Sequence, residues 1–439
     1  MVLEFDQPNL SSDGGLLVLA SDPWAGHVLD TLAGVLEETR RSPRHSLREL
    51  LAQRVLGIAG GYYDANDAQT LRHDGVMQAA VGRTPGEAAT LASQPTLHRL
   101  ENGVTKRELL KLFYAMIDLF LDSYTGEKVP PLLVLDLDPT ACLTYGQQEF
   151  ALFNTHVGGH CLMPFHLYEG QSGRLIATVL RPGKTPSAPE IIKLLRRVVR
   201  RIRARWPKVR LMLRADSHHT KPDVLAWLEA QGLDYALGYA PNEALEREFG
   251  AKIHEARRAY AANVRAGQPE LVARRLHSQW HQAGSWPGLR RVICRVVVGP
   301  LGVDVRYIVT SFAEASAKAL YDCVYCGRGE AELFIKEHKL DLGGDRLSCQ
   351  RAEANQLRLF LHGAAYVILE GFRRLRLRGT ALARATVGQL RLRLCKIAAR
   401  LDVTRRVLRL HVNWQLPAKE TLAAVVERLS RAQAFPIWT

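Results

Sequence analysis

"LLVLDLDPT", residues 132–140, is the stretch from which the rest of the chain is read. Its apolar run reads as a buried strand, because a strand covered on both faces is almost continuously hydrophobic. Side chains alternate along a strand, so Asp136 and Asp138 share one face at its carboxyl end. Downstream, "CLMPFHLYEG" and "GRLIATVLRPG" flank "QSG" and read as a hairpin. "APEIIKLLRRVVRRIRARW" is a long basic helix stopped by Pro207, and "VRLMLRAD" is another strand. "KPDVLAWLEAQG" is a helix with proline in its first turn and glycine at its end, followed by the strand "LDYALGYA".

The order strand, strand, strand, helix, strand, helix, strand is the RNase H-like arrangement. The expected fold class is therefore α/β, with an RNase H-like mixed-sheet catalytic core. Helical periodicity from about Leu47 to Leu121 predicts a helical N-terminal domain over residues 1–128, closed by the turn-rich "TGEKVPP". The first part of the core takes 129–241. Residues 242–312 read as an insertion, polar and helix-leaning to Pro287 and then a hairpin in "LRRVICRVVVGPLGVDVRYIVTS". A glutamate-bearing helix occupies 313–346, and 347–439 reads as a helical C-terminal region rich in arginine.

The chain has 439 residues and a net charge of +15, with 59 basic against 44 acidic residues. Such a surface binds polyanions and favours nucleic acid, the alternative being a basic but indifferent surface. Its apolar runs are too short to span a bilayer, and Asp6 interrupts the start where a signal peptide would be apolar. Seven scattered cysteines give no disulfide framework, so a reducing, cytoplasmic setting is expected.

The chemistry suggested by the carboxylates is phosphodiester cleavage. An in-line displacement is assisted by two divalent cations about 3.5–4 Å apart, and such hard cations need oxygen ligands from several elements. Asp136 and Asp138 end the first strand, Asp216 ends the fourth in "RADSHH", and the carboxyl ends of neighbouring strands converge on one crevice. A third carboxylate must then come from a helix beside them. In "VYCGRGEAELFIKEHK", residues 324–339, a rotation of about 100° per residue places Tyr325, Arg328, Glu332, Lys336 and Lys339 within roughly 80° of arc, with Glu330 and Glu337 elsewhere. The stripe suits a metal beside a phosphate backbone, and equally a solvated face of ion pairs three and four apart.

At these residues the chain resembles the DDE transposases of bacterial insertion sequences, in the branch marked by Tyr, two residues, Arg, three residues, Glu, six residues, Lys. Tyr325, Arg328, Glu332 and Lys339 match that signature. "LDLDPT", "FNTHVGGHCLMPFHLYEG", "GRLIATVLRPGKTP", "RADSHH", "DYALGYAPN", "IKEHKLDL" and "DRLSCQRAEANQLRLFLHGAAYV" look like the insertion-sequence family numbered thirteen-eighty. The resemblance implies an enzyme that cuts DNA at its element's ends and joins it to target DNA. It implies Mg²⁺ or Mn²⁺, two ions, held by Asp138, Asp216 and Glu332. Asp138 is preferred because it keeps an Asp-x-Thr spacing with Thr140, and Asp136 stays beside it as a catalytic candidate. It further implies that Tyr325, Arg328 and Lys339 grip phosphates near the cleaved end, that the partner is double-stranded DNA at terminal inverted repeats and target, and that a homodimer brings two ends together. Lys336 is added from the helical face. A metal-dependent nuclease without strand transfer and a vestigial DNA-binding protein are the alternatives.

Arg373, Arg374, Arg376 and Arg378, four arginines in six residues, form a further candidate DNA patch. Arginines 196, 197, 200, 201 and 203 spread around their helix, some toward solvent and some within reach of phosphates. His218 and His219 beside Asp216 read as metal ligands, DNA contacts or hydrogen-bond partners, and His156 and His160 as ligands or loop packing. Cys323 and Cys326 lack the second pair a zinc site needs. "SQPTLHRLEN", residues 93–102, reads as a segment preceding a helix, and recognition of the element ends is expected in that N-terminal domain.

Overall fold

The computed structural model describes residues 9–86, 90–404 and 407–432. Its central sheet has eight strands: Leu132–Pro139 (β1), Phe165–Glu169 (β2), Arg174–Val179 (β3), Arg210–Ala215 (β4), Asp234–Tyr239 (β5), Ala273–His281 (β6), Arg290–Gly299 (β7) and Gly302–Thr310 (β8). In space they run β6-β7-β8-β5-β4-β1-β2-β3. β1, β4 and β5 are parallel, and every other pairing is antiparallel. The stretch β3-β2-β1-β4-β5 is the RNase H-like order, with helices Ala188–Arg205 and Pro222–Ala230 in the two crossovers. β1 is central and both its faces are covered, which is why Leu133, Val134, Leu135 and Leu137 are all buried.

The hairpin β7-β8 forms as the sequence predicts, but it does not stand apart. β8 pairs with β5 and carries the sheet outward. β6 corrects the sequence reading, because it lies within the stretch read as polar and helix-leaning, after the helix Glu243–Arg265. As an edge strand it leaves many side chains exposed and lacks the apolar run that marks a central strand. The C-terminal region is also not wholly helical, since Ala399–Val403 and Leu408–Val412 pair with each other and with Leu10–Ser11. Leu401, Val403, Leu408 and Leu410 keep a period of two that the arginine bias obscures. Arg405 and Arg406 of that run lie outside the described residues. Residues read as preceding a helix are themselves the helix Gln94–Gly103.

Helix Ala352–Arg376 is buried along most of its length, and the helical parts of both chain ends gather on it. Trp24 Nε1 donates to Val367 O at 3.0 Å and the Tyr366 hydroxyl to Gly173 O at 2.8 Å. Glu101, fully buried, lies between Arg54 and Arg358, each 2.9 Å away. Helix Lys106–Asp122 starts with a capping box in which Thr105 accepts from the Glu108 amide and the Glu108 carboxylate accepts from the Thr105 amide. Thr105→Ala is expected to lower unfolding stability by about 1 kcal/mol in urea titration. Among the described residues, no helix is long and apolar enough to cross a membrane.

Candidate active site

The two aspartates of β1 share a face but not an environment. Asp136 is 1 % exposed and faces Arg214, its partner in the parallel β1-β4 register. Arg214 holds it with two bonds of 2.6 Å, Nε to Oδ1 and Nη2 to Oδ2. The third nitrogen, Nη1, donates to Val324 O at 2.8 Å, so this buried pair ties the sheet to the segment bearing Glu332. Gly327 permits that approach, because a side chain there would run into the Arg214 guanidinium. Asp136 is thus committed to an internal ion pair, and Arg214 is a residue the sequence reading missed.

Asp138 stands one alternation nearer the carboxyl edge and is 18 % exposed. Arg328 Nη1 donates to its Oδ2 at 3.0 Å, while Nη2 donates to Glu332 Oε1 at 2.8 Å. Burial pushes the Asp138 carboxyl up to about 7, with the nearby Asp216 and Glu332 charges adding to the rise and Arg328 opposing it. Asp138, Asp216 and Glu332 therefore occupy one electrostatic field.

Asp216 caps a short turn after β4, accepting from the His218 amide at 3.0 Å. The same oxygen lies 2.8 Å from Nδ1 of His219, which is fully buried. Burial alone would raise the Asp216 carboxyl, but the His219 hydrogen bond and the two histidines together hold it below its ordinary value. His219 is therefore the partner that fixes one oxygen of Asp216. His156 and His160 are exposed, and His160 lies edge-on to Phe153.

The segment around Glu332 is not one uninterrupted α-helix. A π-helical turn over Ala319–Tyr325 leads through a tight turn at Cys326–Arg328 into the α-helix Gly329–Lys336, and a second π-helical turn covers Glu337–Asp341. The rotation of about 100° per residue assumed from sequence therefore applies only within the α-helical turns. Tyr325 reaches toward the end of β5, where a Cβ on Gly238 would meet its hydroxyl at 2.8 Å. Burial raises the Tyr325 hydroxyl, opposed by Arg328 and reinforced by Asp216. Lys339 Nζ donates to Ala141 O at 2.6 Å, just past Asp138. Lys336 and Glu330 are exposed. Glu337 faces away, accepting from the Val387 amide at 3.1 Å and lying 3.5 Å from Arg373. Cys323 and Cys326 are exposed thiols.

The arginine patch divides. Arg373 meets Glu337, Arg374 meets Glu127 at 2.8 Å, and Arg376 meets Asp22 at 2.9 Å. Those three guanidinium groups hold the helical body together, and Arg378 is exposed. On helix Ala188–Arg205, Arg201 pairs with Asp118, Arg203 donates to Gln231 O, and Arg196 and Arg200 are exposed.

Among the described residues, no three His, Cys, Asp or Glu side chains stand close enough to chelate a metal ion. The donor chemistry nonetheless fits a hard cation, being oxygen only and anionic in sum, with like charges raising Asp138.

A family model described as "Transposase DDE domain group 1" matches residues 1–434. No curated protein matches the chain. Among solved structures, the chain is similar to a piggyBac transposase synaptic complex with hairpin DNA, at 11 % identity over 98 % of this chain and 83 % of that one, with a TM-score of 0.44. It is also similar to a Mos1 transposase paired-end complex with left transposon end, at 15 % identity over 46 % of this chain and 61 % of that one, with a TM-score of 0.18. The match to the family model spans nearly the whole chain, the catalytic sheet and both helical ends included, so the protein belongs to the transposase DDE domain group 1 family: it is a DNA transposase, an enzyme of a class that cuts and transfers DNA strands with divalent metal ions.

Proposed function

We propose that the protein cuts DNA at the ends of its own element and joins those ends to target DNA, with Asp138, Asp216 and Glu332 as the carboxylates that hold two Mg²⁺ or Mn²⁺ ions. The observation that carries this reading is Arg328 bridging Asp138 and Glu332 while the Asp216 charge acts on Asp138, so that three carboxylates from three elements share one field. Bound there, the cations supply activation of the attacking oxygen, from water in cleavage and from a 3′ hydroxyl in joining, and charge stabilisation of the leaving oxygen. Asp216 presents its second oxygen because His219 and the His218 amide occupy the first. Glu332 is 58 % exposed, so its carboxylate is not locked by packing and is held on this side by Arg328. With cations held by those carboxylates, the Arg328 guanidinium would be free to take phosphate oxygens in a charge-assisted pair. Tyr325, Lys336 and Lys339 lie along the same segment and contribute to the grip on the cleaved strand. Residues 1–128 recognise the terminal inverted repeats, and a homodimer pairs the two ends.

The test is incubation with Mg²⁺, DNA carrying the terminal repeats and a target plasmid. Cleaved and joined products support the proposal, cleavage without joining supports a nuclease, and binding without cleavage supports a vestigial site. A pH dependence follows from Asp138. Its carboxyl must be ionised to bind a cation, and it takes up a proton as pH falls through about 7. The Mg²⁺ concentration for half-maximal cleavage is expected to rise about tenfold per pH unit below that point and to level off above it. A flat dependence from pH 6 to 8 would mean that Asp138 is already ionised across that range, and would count against the raised carboxyl.

A further inference from the structure

The register of β8 against β5 places the tip of the β7-β8 hairpin over the catalytic edge of the sheet. β5 is parallel to β1 and β4, so its last residue, Tyr239, lies at the edge where β1 ends in Asp138 and where Asp216 follows β4. β8 runs antiparallel to β5, and their pairing begins at Tyr307 with Tyr239. Residues 302–306 therefore overhang that edge by roughly 17 Å at about 3.3 Å per residue. β6 and β7 accompany them, since Ala273 pairs with Val298 and Arg275 with Val296, so the overhang is a stiff three-stranded ribbon.

Pro300 and Leu301 form the two-residue loop at its end, closed by the pair Gly299 and Gly302. Leu301 is 106 % exposed and Val303 is 41 % exposed. Proline suits the first loop position of such a turn and glycine the position that closes it, so Pro300 and Gly302 are turn chemistry, whereas neither turn chemistry nor burial accounts for the exposed Leu301. The positive φ the turn needs is carried by Gly302, at 107°. Behind the tip the ribbon is basic, with Arg274, Arg275, Arg295 and Arg306 against Asp304, Asp322 and Glu255. Arg306 is 65 % exposed, and Arg257, Arg258 and Arg265 on the adjoining helix are exposed as well.

We infer that this ribbon is a DNA-bending arm, in which Leu301, backed by Pro300, enters a base step from the minor groove of the duplex lying across the catalytic edge, while the exposed Arg257, Arg258 and Arg265 on the adjoining helix hold flanking phosphates. An apolar wedge on a basic β-ribbon has the composition that unstacks a step and kinks the helix toward the major groove. The inference rests on the DNA-cleaving reading only in taking a duplex to lie across that edge.

The test uses the full chain with EDTA to prevent cleavage, and a duplex of about 20 base pairs from the gene's terminal repeat with a fluorophore at each end, roughly 70 Å apart when straight. Wild type is expected to raise energy transfer between the ends, and Leu301→Ser to lose more than half of that rise while its Kd changes by less than about threefold. Leu301 touches no core, so an unchanged melting temperature confirms that the variant folds. Leu301→Met, still apolar, should bend DNA as wild type does. Bending unchanged in Leu301→Ser overturns the wedge, as does tight binding by wild type without any bend. A shift of Leu301→Ser to smaller oligomers with its DNA bend intact also overturns it, in favour of a contact between copies. Failure of wild type to bind the duplex at all would count against the DNA-end reading as well, and so is distinguishable.

Discussion

Glu332→Gln is expected to reduce DNA cleavage at least about 100-fold while leaving the Kd for DNA within a few-fold, since charge stabilisation by a bound cation contributes several kcal/mol to such a transition state. Glu330→Gln, two residues earlier, should change the rate by no more than about twofold, the usual effect of an exposed position outside any network. The two glutamates differ in place, not in chemistry. Glu332 is joined through Arg328 to Asp138, whereas Glu330 stands in solvent. Single-turnover cleavage with gel quantification reads both variants. Equal loss in the two would mean that the acidic turn as a whole, and not one carboxylate, is what the reaction needs.

The second large effect separates the aspartates of β1. Asp136→Ala leaves Arg214 buried without its counter-charge, and breaking such a pair costs about 3–5 kcal/mol, to be seen as a lower urea midpoint. Because Arg214 also holds Val324 O, the same change should loosen the segment that carries Tyr325 and Arg328. Asp138→Asn is expected to do the reverse, with stability kept within about 1 kcal/mol because Arg328 keeps Glu332 as its counter-charge and a half-buried carboxylate is replaced by a neutral side chain of the same shape, and cleavage lost. If Asp136→Ala proved fully stable and inactive, and Asp138→Asn active, the assignment of the two residues would be exchanged.

These two residues also show what the sequence makes legible. Their alternation, and the apolar runs of β1 and β4, follow from local pattern, and the order of elements suffices for the central arrangement of strands. The pairing of Asp136 with Arg214 does not, because it arises from the register of strands 78 residues apart. No periodicity marks which of two aspartates on one face will meet an arginine from the neighbouring strand. β6 and the C-terminal strands were hidden for a related reason. Edge and half-covered strands carry as many polar as apolar side chains, and arginine-rich stretches resemble basic helices.

Regular α-helical rotation covers a shorter span than residues 324–339. Arg328 and Glu332 meet through their i,i+4 spacing. Beyond them the two π-helical turns break the rotation, so Tyr325 and Lys339 reach their neighbours through those turns and not along one straight stripe. In the arginine cluster after Phe372, density along the chain leaves the pairing of each guanidinium unread. Three of its four guanidinium groups meet carboxylates from Asp22, Glu127 and Glu337, acids distant in sequence that composition cannot pair with them.

In the proposed site Asp138, Asp216 and Glu332 together hold the cations. Its most direct test is a count of bound Mn²⁺ by electron paramagnetic resonance on the DNA-bound protein, comparing wild type with Asp138→Asn, Asp216→Asn, Glu332→Gln and Asp136→Asn. Two ions per protomer are expected in wild type, fewer or at least about tenfold weaker binding in each of the first three variants, and wild-type occupancy in whatever fraction of Asp136→Asn remains folded. Undiminished Mn²⁺ binding in Asp138→Asn or Glu332→Gln would contradict that assignment.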